Sequence, residues 1–210
     1  MSRKNLKETA QQVFQRNYWP TVGTLVLITL LSGLVSIAGA IPFIGCLAGI
    51  AASVFVTLPL QVSQTRFILN NRIGKGSTGD ISYCFGSHYM NIVKTMFMQN
   101  LFIFLWSLLL VVHGIIKSYE WMMVPYIVAE NPDIDYHAAM DRSRRMMDGH
   151  KMEAFVLGLS FIGWYILSGI TFGLLGIFYV NPYVAQTMGE YYVSLSNTIV
   201  EPNINMTPVM

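Results

Sequence analysis

The sequence predicts an all-α, polytopic membrane protein with about six transmembrane helices in three hairpins, plus two cytosolic amphipathic helices. The first observation is composition: 53% of the 210 residues are hydrophobic and only 11% are charged, against about 25% charged in a soluble domain. The second is a series of four long apolar blocks, and the third is the distribution of basic residues around them. This composition argues against a soluble enzyme. A net charge of +2 argues against nucleic acid as a partner.

Residues 1–20 are predicted to form an amphipathic interfacial helix. Leu6, Ala10, Val13 and Phe14 fall on one face at helical spacing, and basic residues flank that face. Helices of this kind lie in the membrane interface with their apolar face among the lipid chains. We therefore expect this helix to lie flat on the inner leaflet, with a frayed soluble tail as the alternative.

Residues 21–195 are predicted to form a single transmembrane helical domain, followed by a flexible C-terminal tail over 196–210. The first two apolar blocks are each near the roughly 20 residues that span a bilayer, and a tight turn at 41–43 separates them. The last two blocks are too long for one crossing, so breaks are expected near 113–117 and 169–171. The six predicted spans lie near 21–40, 43–65, 95–112, 115–130, 154–169 and 172–189.

The basic residues predict the topology. With six spans and the N-terminus inside, twelve of the 13 basic residues face the cytoplasm and only Lys117 lies outside. If the third block crossed once, the division would become eight to five, so the positive-inside rule favours six spans. Both termini and the loops 66–93 and 131–153 are therefore placed in the cytoplasm of a multi-pass protein of the cytoplasmic membrane.

A second surface helix is predicted over residues 133–148. Asp133 is placed to cap its start and Gly149 to end it. One face is semi-apolar, with Tyr136, Met140, Ser143 and Met147, and the opposite face is charged. The basic side chains here are expected either to form a solvated surface or to contact the anionic inner leaflet or a protein partner. These residues are Arg142, Arg144, Arg145 and Lys151.

A proline recurs in the second helix of each predicted hairpin, with a polar residue four or five positions later. A proline inside a membrane helix frees a backbone carbonyl, which neighbouring helices or polar side chains must satisfy. The polar residues therefore either hydrogen-bond such carbonyls or line a substrate path. The residues concerned are Pro59 with Gln64, Pro125 with Glu130, and Asn181 and Pro182 with Gln186.

The sequence carries no motif for metal binding, nucleotide binding or nucleophilic catalysis. We therefore predict no enzymatic activity, no metal and no cofactor. His113, Lys117 and Glu120 are helix-spaced at the predicted outer turn. A neutralising interfacial cluster is expected there, and a proton-linked gate is the alternative.

Several fixed polar positions resemble those of a known family. Residues 124–132 read VPYIVAENP, and Ala139, Ser143, 146–147, 149–151, 159–164 and 182–183 follow at matching spacing. The chain resembles an uncharacterised family of bacterial integral membrane proteins, domain of unknown function nine hundred seventy-five. The resemblance implies a bacterial inner-membrane protein of about six helices, and no functional residue comes with it. The chain is also broadly similar to the membrane domain attached to some glycerophosphodiester phosphodiesterases.

The expected role is a non-catalytic membrane accessory or scaffold that binds lipid or a protein partner, with homo-oligomerisation as a further option. The alternative is a small transporter or permease subunit that uses the proline-broken helices. A dry helix bundle favours the first role, and a polar cavity that reaches the midplane favours the second.

Overall fold

The computed structural model describes residues 3–39 and 49–198, and every regular element in these ranges is helical. The predicted all-α class is confirmed. The first half contains α1 (Arg3–Arg16), α2 (Tyr18–Gly39), a π-helical segment (Ser53–Thr57), α3 (Leu58–Arg72), a 3₁₀ segment (Thr78–Phe85) and α4 (Tyr89–Leu109). The second half contains α5 (Val111–Glu120), α6 (Val124–Glu130), α7 (Tyr136–Met147), α8 (Lys151–Leu159), α9 (Ile162–Ile170), a π-helical segment (Gly176–Val180) and α10 (Asn181–Thr198).

Helices α4 and α5 form a tight hairpin that reverses at Leu110, whose backbone is extended (φ −155°, ψ 120°). A Cβ added to Gly114 would lie 2.7 Å from the Cα of Ser107, so the two helices approach at backbone distance. The break predicted near 113–117 is therefore wrong by a few residues. Gly114 serves close packing inside α5 rather than the turn.

The last apolar block also folds back on itself. Its turn contains Phe172 and Gly173, which have φ angles of 51° and 82°, so the break lies next to the predicted position at 169–171. Across the turn, Gly176 faces the hydroxyl of Ser168 with no room for a Cβ. The first hairpin's predicted turn at 41–43 lies outside the described residues. Helix α10 continues to Thr198, so the predicted tail begins as helix.

Each of the three prolines stands as the second residue of a regular helix that follows an irregular segment. Pro59 in α3 and Pro182 in α10 each come directly after a π-helical segment. Pro125 in α6 follows the turn at 121–123. At Pro125, which follows a turn, proline is tolerated because the N–H it lacks would have no partner in a first helical turn. At the other two sites the helix continues through the π-helical turn, where the Leu58 N–H bonds to Ser53 O and the Asn181 N–H bonds to Gly176 O, so the π-turn accommodates the proline. The sequence echo thus marks two prolines inside helices, as predicted, and one at the start of a helix.

Buried and exposed apolar side chains concentrate at opposite ends of the bundle. The packed core joins α1, α3, α4, α6, α7 and α10, whereas the hairpin ends expose apolar groups, as at the 98%-exposed Phe172. Three described helices are long and apolar enough to cross a membrane, one in each hairpin: Tyr18–Val35, Tyr89–Leu109 and Lys151–Ile170. Exposed apolar surface of this extent is typical of a surface that contacts lipid or another protein.

Helix α1 packs against protein along the face expected to meet lipid. Leu6, Ala10 and Phe14 are buried, and the Phe14 ring meets Tyr179 edge-on at 5.7 Å. The amphipathic helix is therefore present, but its apolar face is covered by the neighbourhood of α10 instead of the inner leaflet. Amphipathic spacing identifies an apolar face without identifying what covers it.

Helix α7 is the predicted second surface helix, with a later start. Asp135, not Asp133, caps it, because the Asp135 carboxylate accepts a hydrogen bond from the His137 N–H. The helix ends at Met147, and Gly149 follows with a φ of 75°, in the left-handed region that glycine favours after a helix. Its apolar side, which includes Met140, packs into the core.

Candidate functional site

The first polar cluster joins α10 to the end of α3 and the start of α2. The guanidinium Nε of Arg72 donates to Glu190 Oε2 at 2.9 Å, and Glu190 is only 3% exposed. Gln186 lies one turn before Glu190 on α10, and its Oε1 accepts a hydrogen bond from the Asn71 side-chain amide at 3.4 Å. The same amide donates to Thr21 Oγ1 at 2.9 Å. Among the described residues, buried Gln186 Nε2 and Glu190 Oε1 have no hydrogen-bond partner.

The second cluster surrounds Glu130 at the end of α6. The Tyr192 hydroxyl donates to Glu130 Oε2 at 2.6 Å, and Arg142 Nη2 lies 3.8 Å from the same oxygen. Burial raises the pKa of the Tyr192 hydroxyl, which keeps it protonated as a donor. Arg142 is 5% exposed, so its predicted place on the lipid-facing surface is wrong. Its charge is held inside the bundle by a carboxylate.

The residues considered for a polar path are not gathered in one place. Gln186 and Glu130 belong to the two separate clusters around α10 described above. Asn181 is exposed and Gln64 is half-buried. Pro59 and Pro182 are buried, and Pro125 is half-buried, at the starts of their helices.

The third cluster surrounds the carboxylate of Glu120, which is 4% exposed. Lys117 Nζ donates to Glu120 Oε1 at 2.8 Å, and Lys151 Nζ donates to Oε2 at 2.9 Å. Arg144 Nε lies 3.5 Å from Oε1. Lys117 and Lys151 thus share one carboxylate, so they lie at the same end of the bundle. The placement of Lys117 on the opposite side from Lys151 is therefore wrong.

An open cavity of about 300 Å³ lies beside this cluster, between α7 and the start of α8. Three of the four basic residues predicted as contacts line it, whereas the buried Arg142 does not. Arg144 is 65% exposed along its side chain, and Asp141 and Asp148 are also exposed. The lining consists of Glu120, Asp141, Arg144, Arg145, Asp148 and Lys151.

Sequence reasoning missed the pairs that α10 forms. Glu190 is the sole charged residue between 154 and 198, and a carboxylate isolated in so apolar a segment needs a partner. That signal could have selected Glu190, although not Arg72 as its partner. Nothing in the sequence distinguished Tyr192 from its tyrosine neighbour.

Histidines and carboxylates meet only in pairs in the part of the chain that the structure describes. His150 Nδ1 lies 2.9 Å from Glu153 Oε2, and His88 Nδ1 pairs with Asp133. Over residues 3–39 and 49–198, no group of three or more His, Cys, Asp or Glu side chains is arranged to hold a metal ion. The expectation that the chain is not an enzyme stays a prediction.

The geometry defines a class of protein: an all-helical bundle with apolar hairpin ends, a packed opposite end and charged clusters between them. The chain belongs to the family described as protein of unknown function (DUF975), whose model matches residues 2–198. No curated protein matches the chain, and no solved structure matches it. The similarity to the phosphodiesterase membrane domain stays a prediction.

Proposed function

We propose that this protein is a non-catalytic accessory or scaffold of the bacterial cytoplasmic membrane that binds lipid headgroups or a partner through α7 and the start of α8. The observation that carries the proposal is the position of the cavity. Its basic side chains Arg144, Arg145 and Lys151 stand at the polar end of the candidate span Lys151–Ile170. Basic residues at that level attract anionic headgroups by about 1 kcal/mol each.

Charge asymmetry supports a cytoplasmic position for this end. With Lys117 moved to the side of Lys151, all 13 basic residues of the chain fall on the side assigned to the cytoplasm. The positive-inside rule then favours the apolar hairpin ends in the bilayer and both termini in the cytoplasm more strongly than the twelve-to-one division did.

Helix lengths modify the proposal of six crossings. From the shared level of Glu120 and Lys151, α8 and α9 extend over the 20 residues Lys151–Ile170, which is about 30 Å of helix and the thickness of a hydrocarbon core. Helix α5 has only 10 residues, or about 15 Å. We therefore propose that the hairpin of α4 and α5 enters to about half the depth that the last hairpin reaches.

The proposal is tested by lipid retention in purified protein. The double variant Arg144→Gln, Arg145→Gln should retain less bound phospholipid than the wild type, because both side chains can donate to a lipid phosphate, and the difference should shrink at high salt. A matched double variant, Lys4→Gln, Lys75→Gln, loses the same charge at exposed positions outside the cavity lining. Equal lipid loss in both double variants would contradict the proposal.

A transporter is the second candidate function, and the cluster on α10 favours it. Two π-helical segments precede Pro59 and Pro182, and π-bulges frequently occur at functional sites. The unpartnered Gln186 Nε2 and Glu190 Oε1 lie on α10 after Pro182, at the end of α3 that is distant from Pro59. In a host with a phenotype for this gene, loss of that phenotype in Gln186→Leu at normal expression, but not in the Arg144, Arg145 double variant, would favour transport.

A further inference from the structure

We propose that the cavity between α7 and α8 binds the phosphoethanolamine headgroup of a single phospholipid. This inference rests on the proposed lipid-binding function and names the lipid class. The lining contains three cations, Arg144, Arg145 and Lys151, and three carboxylates. Lys117 adds a fourth cation outside the lining, where it binds Glu120. A site that offers both charges complements a headgroup that carries a phosphate and an ammonium group, because each ligand charge then meets its opposite.

The two charges of the headgroup have separate places in the lining. Glu120 already accepts hydrogen bonds from Lys117 and Lys151, so its charge is balanced by protein. Asp141 and Asp148 flank the arginines on the exposed side of α7. They are the carboxylates placed to accept from the ligand ammonium. Arg144, whose Nε lies 3.5 Å from Glu120 Oε1, has further guanidinium N–H groups to donate to the phosphate.

The size of the cavity selects a headgroup rather than a whole lipid. Its volume of about 300 Å³ is at the lower limit of the range of about 300–1,000 Å³ for ligand pockets. Apolar side chains continue from it along α8, where Met152, Phe155 and Leu159 are exposed at spacings of three and four residues. Phe155 also meets the Tyr119 ring edge-on at 6.1 Å. This surface of α8 provides a path for the acyl chains.

A purely anionic headgroup fits the lining less well, because Asp141 and Asp148 would repel it with no ammonium group to compensate. A phosphocholine headgroup carries both charges, yet its trimethylated nitrogen has no N–H to donate to a carboxylate. The inference therefore requires a preference for phosphatidylethanolamine over both phosphatidylcholine and phosphatidylglycerol.

Native mass spectrometry of the purified full chain in detergent measures this preference directly. The protein is titrated with dioleoyl phosphatidylethanolamine, phosphatidylcholine and phosphatidylglycerol at equal concentrations. We expect the first bound ethanolamine lipid to have a dissociation constant about tenfold lower than that of the choline lipid, as for one charge-assisted hydrogen bond.

Variants separate the two halves of the site. Asp148→Asn combined with Asp141→Asn should remove the preference for ethanolamine over choline and leave binding of the choline lipid in place. Arg144→Gln should weaken both lipids, because it removes a phosphate donor. Lys4→Gln is the matched control, since its side chain is 84% exposed and lies outside the lining.

The outcomes distinguish this inference from the proposed function. Equal binding of ethanolamine and choline lipids, or an unchanged preference in the Asp141, Asp148 double variant, overturns the inference. Tightest binding of phosphatidylglycerol also overturns it, yet supports the broader lipid-binding function. Absence of any lipid adduct that responds to Arg144→Gln overturns both.

Discussion

Replacement of Arg72 by methionine tests the pair that joins α3 to α10. Glu190 is only 3% exposed, and its Oε2 accepts a hydrogen bond from Arg72 Nε at 2.9 Å. Its Oε1 has no hydrogen-bond partner among the described residues. Arg72→Met therefore leaves a buried carboxylate without its cation, whereas the methionine keeps most of the apolar stem.

Removal of one partner of a buried ion pair costs about 3–5 kcal/mol. The Arg72 side chain is 29% exposed, so solvent already weakens the pair and we expect the lower limit, about 3 kcal/mol. For a chain of this length, 1 kcal/mol lowers the melting temperature by about 2–4 °C. Arg72→Met should therefore lower the melting temperature by about 6–12 °C.

Thermal unfolding in one detergent compares the melting temperatures of the wild type, Arg72→Met and a double variant. The double variant Arg72→Met, Glu190→Leu removes both charges and should be more stable than Arg72→Met alone, because no carboxylate is left unpaired. Lys75→Met is the control, since Lys75 is exposed. Two results would contradict this prediction: a melting temperature of Arg72→Met equal to that of the wild type, or a melting temperature of the double variant below that of Arg72→Met. Either would mean that Arg72 does not neutralise Glu190 in the way the structure indicates.

Gly189→Ala should lower the melting temperature, because the added Cβ would lie 2.6 Å from Cγ2 of Ile68 on α3. Gly158→Ala is the control, since its Cβ would meet nothing within 4 Å. Equal melting temperatures of the two variants would mean that α3 and α10 pack differently. A cysteine in place of Phe172 should react with a membrane-impermeant reagent applied outside intact cells. A cysteine in place of Leu110 should not, since the hairpin of α4 and α5 is the shorter. Labelling of both positions would mean that α4 and α5 each cross the membrane completely. Burial raises the pKa of the Cys84 thiol, so the folded state favours the protonated thiol, and this contribution to stability is present below the ordinary thiol pKa of about 8.5 and is lost as the pH rises. With Cys46 replaced, maleimide should label Cys84 slowly at pH 7 and faster at alkaline pH. Rapid labelling at pH 7 would show that Cys84 is accessible to solvent.

Local patterns in the sequence were sufficient for several parts of the fold. Helical spacing in 1–20 and 133–148 predicted α1 and α7, and the glycine at 149 predicted where α7 ends. The excess length of the block 154–189 predicted a reversal, which lies at Phe172 and Gly173. These features depend on neighbouring residues and on the length of a helix that spans a bilayer, so they can be derived without tertiary contacts.

The candidate site depended more on packing between distant segments. The basic residues of 142–151 were predicted as one group, yet Arg142 points to Glu130 while Arg144 lines the cavity. Helical spacing could not separate them, because the charged side of α7 borders both the core and the solvent. The cavity itself needs Glu120, which is far from α7 in the sequence.

Composition and the lengths of the apolar blocks by themselves determined that this protein is all-helical over the described residues, with apolar helices long enough to cross a membrane. Only the tertiary structure decided that Lys117 shares the Glu120 carboxylate with Lys151, that α1 is covered by protein, and that Arg72 neutralises Glu190. The physical reason is that apolarity and helical period act along the chain, whereas a buried charge finds its partner across the bundle. That partner depends on how the helices pack, which the spacing of residues along one helix does not specify.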